Sequence, residues 1–430
     1  MSRLIASPLA KARSWYQDTA PPPPRFAPLA GDQRCDVVII GGGYTGLAAA
    51  LTLGEAGYEV VLLEADQLGN GASGRNGGQV AAGYNKDYAT LAARYGTGEA
   101  RAMKDIADAG LTWLKDRVAR HNIDCDLRMG YLHVAEKARH LRELREIHAD
   151  ATDWGDPEPL LIEQADIGEW VASKRYVGGL LDPDSGQLHP YRYAQGLAAA
   201  AAALPTVRLY EDTLVTAIDT GAKPSATTGH GTVHAKHMII AGNAFAALDG
   251  RMTRKIMPVG TYIVGTEPMD PARADALIKD RLAVCDLNFV LNYYRISPDH
   301  RMLFGGRVSY TGRDEPALRP RIRSVMLRYF PQLSDLEIEY CWGGYVAITM
   351  NRLPHLGRLG PSTLFAHGYS GHGVILAGMA GALMAEAIQG QAERFDVLTR
   401  IRHDTFPGGD LLRTPALVLA MLYYRLRDWF

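Results

Sequence analysis

The stretch CDVVIIGGGYTGLAAALTLGEAGYEVVLLE, Cys35 to Glu64, decides the fold. Asp36 to Ile40 and Glu59 to Leu63 are short, unbroken apolar runs, the pattern of strands buried on both faces. Between them the Ala- and Leu-rich segment Gly46 to Ala56 predicts a helix. The three pieces form a strand, helix, strand unit, and the G-x-G-x-x-G positions Gly41, Gly43 and Gly46 fall where the first strand turns into the helix. Each glycine has its own task there: a tight turn, a close backbone approach to pyrophosphate, and close packing of helix on strand. The helix start, with Tyr44 and Thr45, offers unpaired N–H groups and a positive dipole end to a pyrophosphate. Glu64 ends the second strand, with Ala65 next. A carboxylate there accepts from both ribose hydroxyls and argues against a 2'-phosphate, hence against NADP.

Just beyond lies GNGASGRNGGQ, Gly69 to Gln79, a polar glycine-rich loop. Its Ala72, Ser73, Arg75, Asn76, Gly77, Gly78 and Gln79 are suited to bring backbone N–H groups and a cation to a phosphate or flavin edge. Far downstream, AHGYSGHGV, Ala366 to Val374, precedes a helix predicted from Val374 to Ile388. Gly368, Ser370, Gly371, His372, Gly373 and Val374 therefore sit at another helix start suited to an anionic group.

The segments GGGYTGLAAAL, LLEADQLGNGASGRNGGQ and HGYSGHGV together resemble the D-amino acid oxidase (DAO) family of FAD-dependent oxidoreductases. The resemblance extends over nearly the whole chain, including SWY, CWGGYVAITMNRLPHLGRL and PGGDLLRTPALVLAMLYYRLRD. It implies an α/β Rossmann-like FAD-binding domain of the glutathione-reductase type, with a discontinuous α+β substrate domain whose antiparallel sheet roofs the flavin. The expected division is an N-terminal arm at 1–33, an FAD domain at 34–88, 187–257 and 342–400, a substrate domain at 89–186 and 258–341, and a tail helix at 401–430.

By the same resemblance FAD is held noncovalently, Val215 holds the adenine through its backbone, and Ala241 and Gly242 lie against the FAD. The loop ending in His372 stabilises the reduced flavin. Catalytic positions are expected at His372, Tyr293, Arg295 and Tyr345, and substrate-binding ones at Tyr262, Arg307, Asn351 and Arg352. His189, before a helix, reads as a capping residue. The implied reaction is oxidative deamination of an amine, gamma-glutamylputrescine, to the aldehyde, with ammonia and hydrogen peroxide. Two alternatives stand beside it: oxidation of another amine or amino acid, such as sarcosine, glycine or a D-amino acid, and transfer of electrons to a membrane or protein acceptor.

Length and composition agree with an enzyme of this size. The chain has 430 residues, 47% hydrophobic and 22% charged, enough for a large core in two entangled domains. A net charge of -1 and no basic stripe exclude nucleic acid as the expected partner. The partners are a small amine and oxygen or another electron acceptor. Cys35, Cys125, Cys285 and Cys341 are far apart, without metal spacing, so no metal is expected and a reducing, cytoplasmic setting is. The prolines 21–24 set off an arm with Trp15 and Tyr16, expected to wrap the surface of the domain or a neighbouring subunit. Near the C-terminus the apolar patch Ala416 to Tyr424 is too short to span a bilayer, so it either packs against the enzyme body or lies on a surface, where peripheral membrane contact is open to it.

Overall fold

Alternate residues of the decisive strands feed two different cores. Val37, Ile39, Val60 and Leu62 pack under helices, while Val38, Ile40, Val61 and Leu63 face the opposite layer. Two-sided burial is why these strands read as continuous apolar runs rather than alternating ones. The computed structural model describes residues 12–245, 248–288, 290–309 and 317–407. The expected tail helix and the Ala416 to Tyr424 patch fall largely or wholly outside them.

In the first sheet five parallel strands run in the order Thr363–His367, Gly231–Ile240, Gln33–Ile40, Val60–Leu63, Val207–Tyr210. His355–Gly360 adds antiparallel to one edge, and Val215–Asp219 with Ser225–Thr228 forms an antiparallel extension on Gly231–Ile240. One face carries the helices Tyr44–Glu55, Pro190–Ala202 and Gly373–Ile388. The last of these is buried from Val374 to Ala385, which is why its sequence shows no polar stripe. It lies close on Tyr44–Glu55 because Gly381 lacks a side chain: a Cβ there would come within 2.2 Å of Thr45 O.

The second sheet has the order Ile338–Ile348, Met257–Thr266, Met302–Ser309, Tyr293–Ile296, Ala283–Asp286, Arg128–Ala135, Gly178–Gln187, Gln79–Val80. Its pairs are antiparallel except Ala283–Asp286 on Arg128–Ala135, which is parallel. Strand Ile338–Ile348 stays in this sheet to its end, so the sheet boundary falls after Ile348 rather than at 342. Between Gln79–Val80 and Arg128–Ala135 lie two helices, Tyr88–Tyr95 and Thr97–Arg120, separated because Gly96 takes φ +92° and ends the first.

The arm lies against the body of its own chain, and its two aromatics go into the core. Trp15 and Tyr16 are buried, at 2% and 0% exposure, against Tyr191, Ile263, Leu303 and Trp342. Two large aromatic side chains next to the second sheet gain far more from burial than from lying on the surface. Among the described residues no helix is long and apolar enough to cross a membrane.

Candidate active site

A single long cleft with a volume of about 430 Å³ runs between the two sheets. One end is built by the decisive motif. Gly41 has φ +109°, and a Cβ there would meet the Ala241 backbone at 2.8 Å; a Cβ on Gly43 would meet Ser73 Oγ at the same distance. The wall thus keeps a backbone-lined groove at Gly41, Gly43, Tyr44 and Thr45, with Ala241 and Gly242 opposite. Gly46 lies behind it and serves packing: its Cβ would stand 1.9 Å from Gly41 O. Helix Tyr44–Glu55 has no side-chain cap from its own N-cap residue, Gly43; its first N–H, that of Tyr44, is taken by Ser73, and its dipole leaves this end positive beside the groove.

Glu64 lines the same end with Ala65 and Val215. Its carboxylate accepts from Gly42 N at 2.6 Å and from Asp66 N at 3.0 Å, which fixes it at the strand end. Burial pushes this carboxyl above its ordinary range. The middle wall is the loop carrying Ala72, Ser73, Arg75, Asn76, Gly77 and Gln79. Ser73 Oγ accepts from Tyr44 N at 3.0 Å, joining the two phosphate-side segments. Asn76 caps its own short turn, donating to Ser73 O at 2.8 Å and accepting from Gly78 N at 2.8 Å. Gly78, at φ +73°, sits behind the wall against Leu188 O.

The far end begins at Ser370, Gly371, His372, Gly373 and Val374. Thr45 and Tyr369 hydroxyls meet at 2.6 Å, tying this turn to the first helix. Gly371 has φ +105°, with no atom within 4 Å of a would-be Cβ. Burial pushes the His372 imidazole down to about 4, so it is neutral near pH 7, and its Nδ1 is buried with no hydrogen-bond partner among the described residues. Aromatic walls come from Tyr131, Phe245, Tyr293 and Tyr345. Burial holds the Tyr293 phenol above its ordinary value, so it stays protonated.

Several expected site residues lie elsewhere. Tyr262 faces the core of the second sheet beside Val264 and Phe304, and its neighbour Thr261 lines the cleft instead. Arg295 is buried at 2% exposure behind the wall: it donates to Gly77 O at 3.1 Å, Gln187 Oε1 at 3.2 Å and Tyr16 OH at 3.3 Å. Asn351 closes a turn, donating to Arg402 O and accepting from Leu353 N, and does not line the cleft. Gly368 also stays out of it, in a φ +73° turn that donates to Asn243 Oδ1. Arg352 does line the cleft. Arg307 stands in strand Met302–Ser309, and its side chain lies outside the described residues. His189 caps helix Pro190–Ala202, its Nδ1 accepting from Arg192 N at 3.2 Å.

Sequence reading missed Asn70, Leu214, Phe245, Tyr131 and Thr261, all in the wall. Asn70 lay inside the quoted glycine-rich loop and was within reach; Tyr131 and Phe245 carried no motif.

A carboxylate at the end of the second strand, a helix start beside a glycine-lined groove, and a second helix start with an unpaired buried nitrogen suit an extended dinucleotide carrying a redox ring. The chain matches the FAD dependent oxidoreductase (DAO) family over residues 36–387. It is 39% identical to gamma-glutamylputrescine oxidoreductase of Escherichia coli (strain K12), covering 96% of this chain and 98% of that protein. It is 35% identical to the probable oxidoreductase OrdL of Haemophilus influenzae, covering 97% of each. In fold it is similar to glycine oxidase from Geobacillus kaustophilus, with a TM-score of 0.72 and 23% identity over 86% of this chain and all of that one. Family match, full-length relatives and cleft geometry agree: the chain belongs to the FAD dependent oxidoreductase (DAO) family, and its cofactor is FAD.

Proposed function

We propose that this enzyme oxidises the terminal primary amine of gamma-glutamylputrescine. Two electrons and a proton leave the carbon bearing the nitrogen as a hydride. The resulting imine takes up water to give gamma-glutamylaminobutyraldehyde and ammonia, and oxygen receives the two electrons with two protons as hydrogen peroxide. The observation carrying this reading is the near full-length likeness to the Escherichia coli gamma-glutamylputrescine oxidoreductase.

FAD, when bound, supplies the hydride acceptor. The chain's own residues do the rest. Tyr131, Phe245, Tyr293 and Tyr345 wall the cleft and exclude water from the reacting carbon. Tyr293 stays protonated and His372 stays neutral with a weakly basic ring, so neither is a strong base for the substrate ammonium. The ammonium proton therefore leaves to solvent before oxidation, and turnover rises with pH as the neutral amine becomes more abundant. The start of helix Gly373–Ile388, which has no side-chain cap, stabilises negative charge developing at the cleft. Arg295 is engaged behind the wall, whereas Arg352 lines the cleft and is the candidate partner for the carboxylate of the substrate.

The test supplies gamma-glutamylputrescine, putrescine and glycine to the purified holoprotein and measures peroxide and ammonia together. Equal yields of both products are expected from gamma-glutamylputrescine, with kcat/KM ~10²-fold above the other two. Preferred turnover of glycine would assign the enzyme to amino-acid oxidation. Flavin reduction without peroxide would place the electrons on another acceptor.

A further inference from the structure

The segment Ser14–Ala20 makes contacts that its small size does not require. Ser14 and Gln17 form a reciprocal capping box, so helix Trp15–Thr19 is set before it meets the rest of the protein. Trp15 Nε1 then donates to Asp299 at 3.1 Å. The Tyr16 ring lies edge-on to Trp342 and His189, with centroids 5.3 and 5.0 Å away. Thr19 Oγ1 donates to Trp15 O, and its other hydrogen bond is to His189 Nε2 at 3.1 Å. Because His189 Nδ1 accepts from Arg192 N, Nε2 carries the proton and donates to Thr19.

Two bridges from this seat, and a third from Ala12 just before it, reach one loop. Gln17 Nε2 donates to Asn70 Oδ1 at 2.8 Å. Arg75 Nη2 donates to Ala12 O at 2.5 Å. Tyr16 OH accepts from Arg295 Nη2, while Nε of the same guanidinium donates to Gly77 O. Asn70, Arg75 and Gly77 all line the FAD cleft. Their loop holds only one turn of helix, Ala72–Arg75, so most of its backbone is fixed from outside. Arg295 also packs flat beneath it: a Cβ on Gly78 would meet Nη2 at 2.8 Å.

We propose that Ser14–Ala20 is a clamp on the cofactor loop, in which Tyr16 and Arg295 are positioning residues that hold Gly77 where FAD binds. The proposal rests on the assignment of FAD to this cleft. Linkage makes the effect reciprocal: a docked arm tightens FAD, and bound FAD tightens the arm.

The experiment compares full-chain holoprotein with Tyr16→Phe, which removes only the hydroxyl, and Gln17→Glu, which removes the amide donor to Asn70 while keeping an Oε acceptor for Ser14 N in the capping box. FAD release after dilution is followed by recovery of free-flavin fluorescence, alongside the visible flavin spectrum and the thermal midpoint. Either variant is expected to release FAD ~tenfold more readily, with a shifted flavin band. Cleavage of the arm by protease should rise in step with FAD loss. Unchanged release and spectrum in both variants, whether or not the thermal midpoint falls, would overturn the clamp. Wild-type protein that purifies without FAD would instead count against the cofactor assignment itself.

Discussion

Replacing Gly46 with alanine is expected to destroy FAD retention and most of the stability of the nucleotide-binding sheet. The new Cβ would lie 1.9 Å from Gly41 O, 3.1 Å from Gly41 C and 3.3 Å from Ile39 Cγ2. The first two are backbone atoms of the phosphate turn, so no rotamer change relieves the clash. Either the helix lifts from the strand or the turn opens, and both movements disperse the groove. Overpacking against fixed backbone costs ~3 kcal/mol or more, and FAD content should fall ~10²-fold at equal protein concentration. Gly98→Ala is the matched control. Gly98 is exposed in helix Thr97–Arg120 with no atom within 4 Å of its would-be Cβ, so alanine there is expected to be neutral or stabilising by up to ~1 kcal/mol. Flavin absorbance per protein and urea midpoints of the two variants check the contrast.

Acid should strip the enzyme of FAD well above the pH at which most carboxylates titrate. Five histidines are pushed down from 6.5 chiefly by burial: His189 to about 3, His355 to about 2, His367 to about 3, and His372 and His403 to about 4. In each case the folded-state value lies below the unfolded one, so between the two the unfolded chain binds more protons. The stabilisation is complete above pH 6.5 and is lost as pH falls toward 4 and below. At ~pH 5 each buried imidazole accounts for a loss of up to ~2 kcal/mol.

His355, His367 and His403 form one cluster, with His355 Nδ1 and His367 Nε2 2.8 Å apart and the His403 ring centroid 4.5 Å from that of His355. Repulsion among the three disfavours charging more than one of them in the folded protein, so the remaining protons are taken up only as the cluster opens, and the loss should be a steep step rather than a gradual decline. Since His367 leads directly into the Gly368–Ser370 turn, flavin release should accompany that step. Thermal midpoint and flavin fluorescence recorded from ~pH 7.5 down to ~pH 4.5 test this. A midpoint flat across that range would contradict it.

The nucleotide-binding half was legible because its strands are buried on both faces and its turn needs glycine at fixed positions. Gly41, Gly43 and Glu64 could be placed from spacing alone. The roof was not legible in the same way. Strand Met257–Thr266 is buried along nearly its whole length, so its hydrophobicity carries no phase, and Tyr262 and Thr261 could not be assigned to opposite faces. A bulge between those two residues breaks the alternation further. Arg295 reads as a catalytic position because it shares a roof strand with Tyr293, which does line the cleft. Its partners Tyr16 and Gly77 are 279 and 218 residues away in sequence, a distance that no local pattern bridges. The same holds for the arm: Trp15 and Tyr16 look like surface aromatics until Trp342 and His189 are brought against them.

The central claim is that this cleft oxidises the amine of a long substrate with a distant carboxylate. Mixing anaerobic holoprotein rapidly with gamma-glutamylputrescine, and following the flavin absorbance, tests it most directly. Complete bleaching is expected, at a rate that saturates with substrate and rises with pH, with much slower bleaching by putrescine, which lacks the glutamyl end. Flavin that stays oxidised with gamma-glutamylputrescine, or that glycine or a D-amino acid bleaches faster, would contradict it.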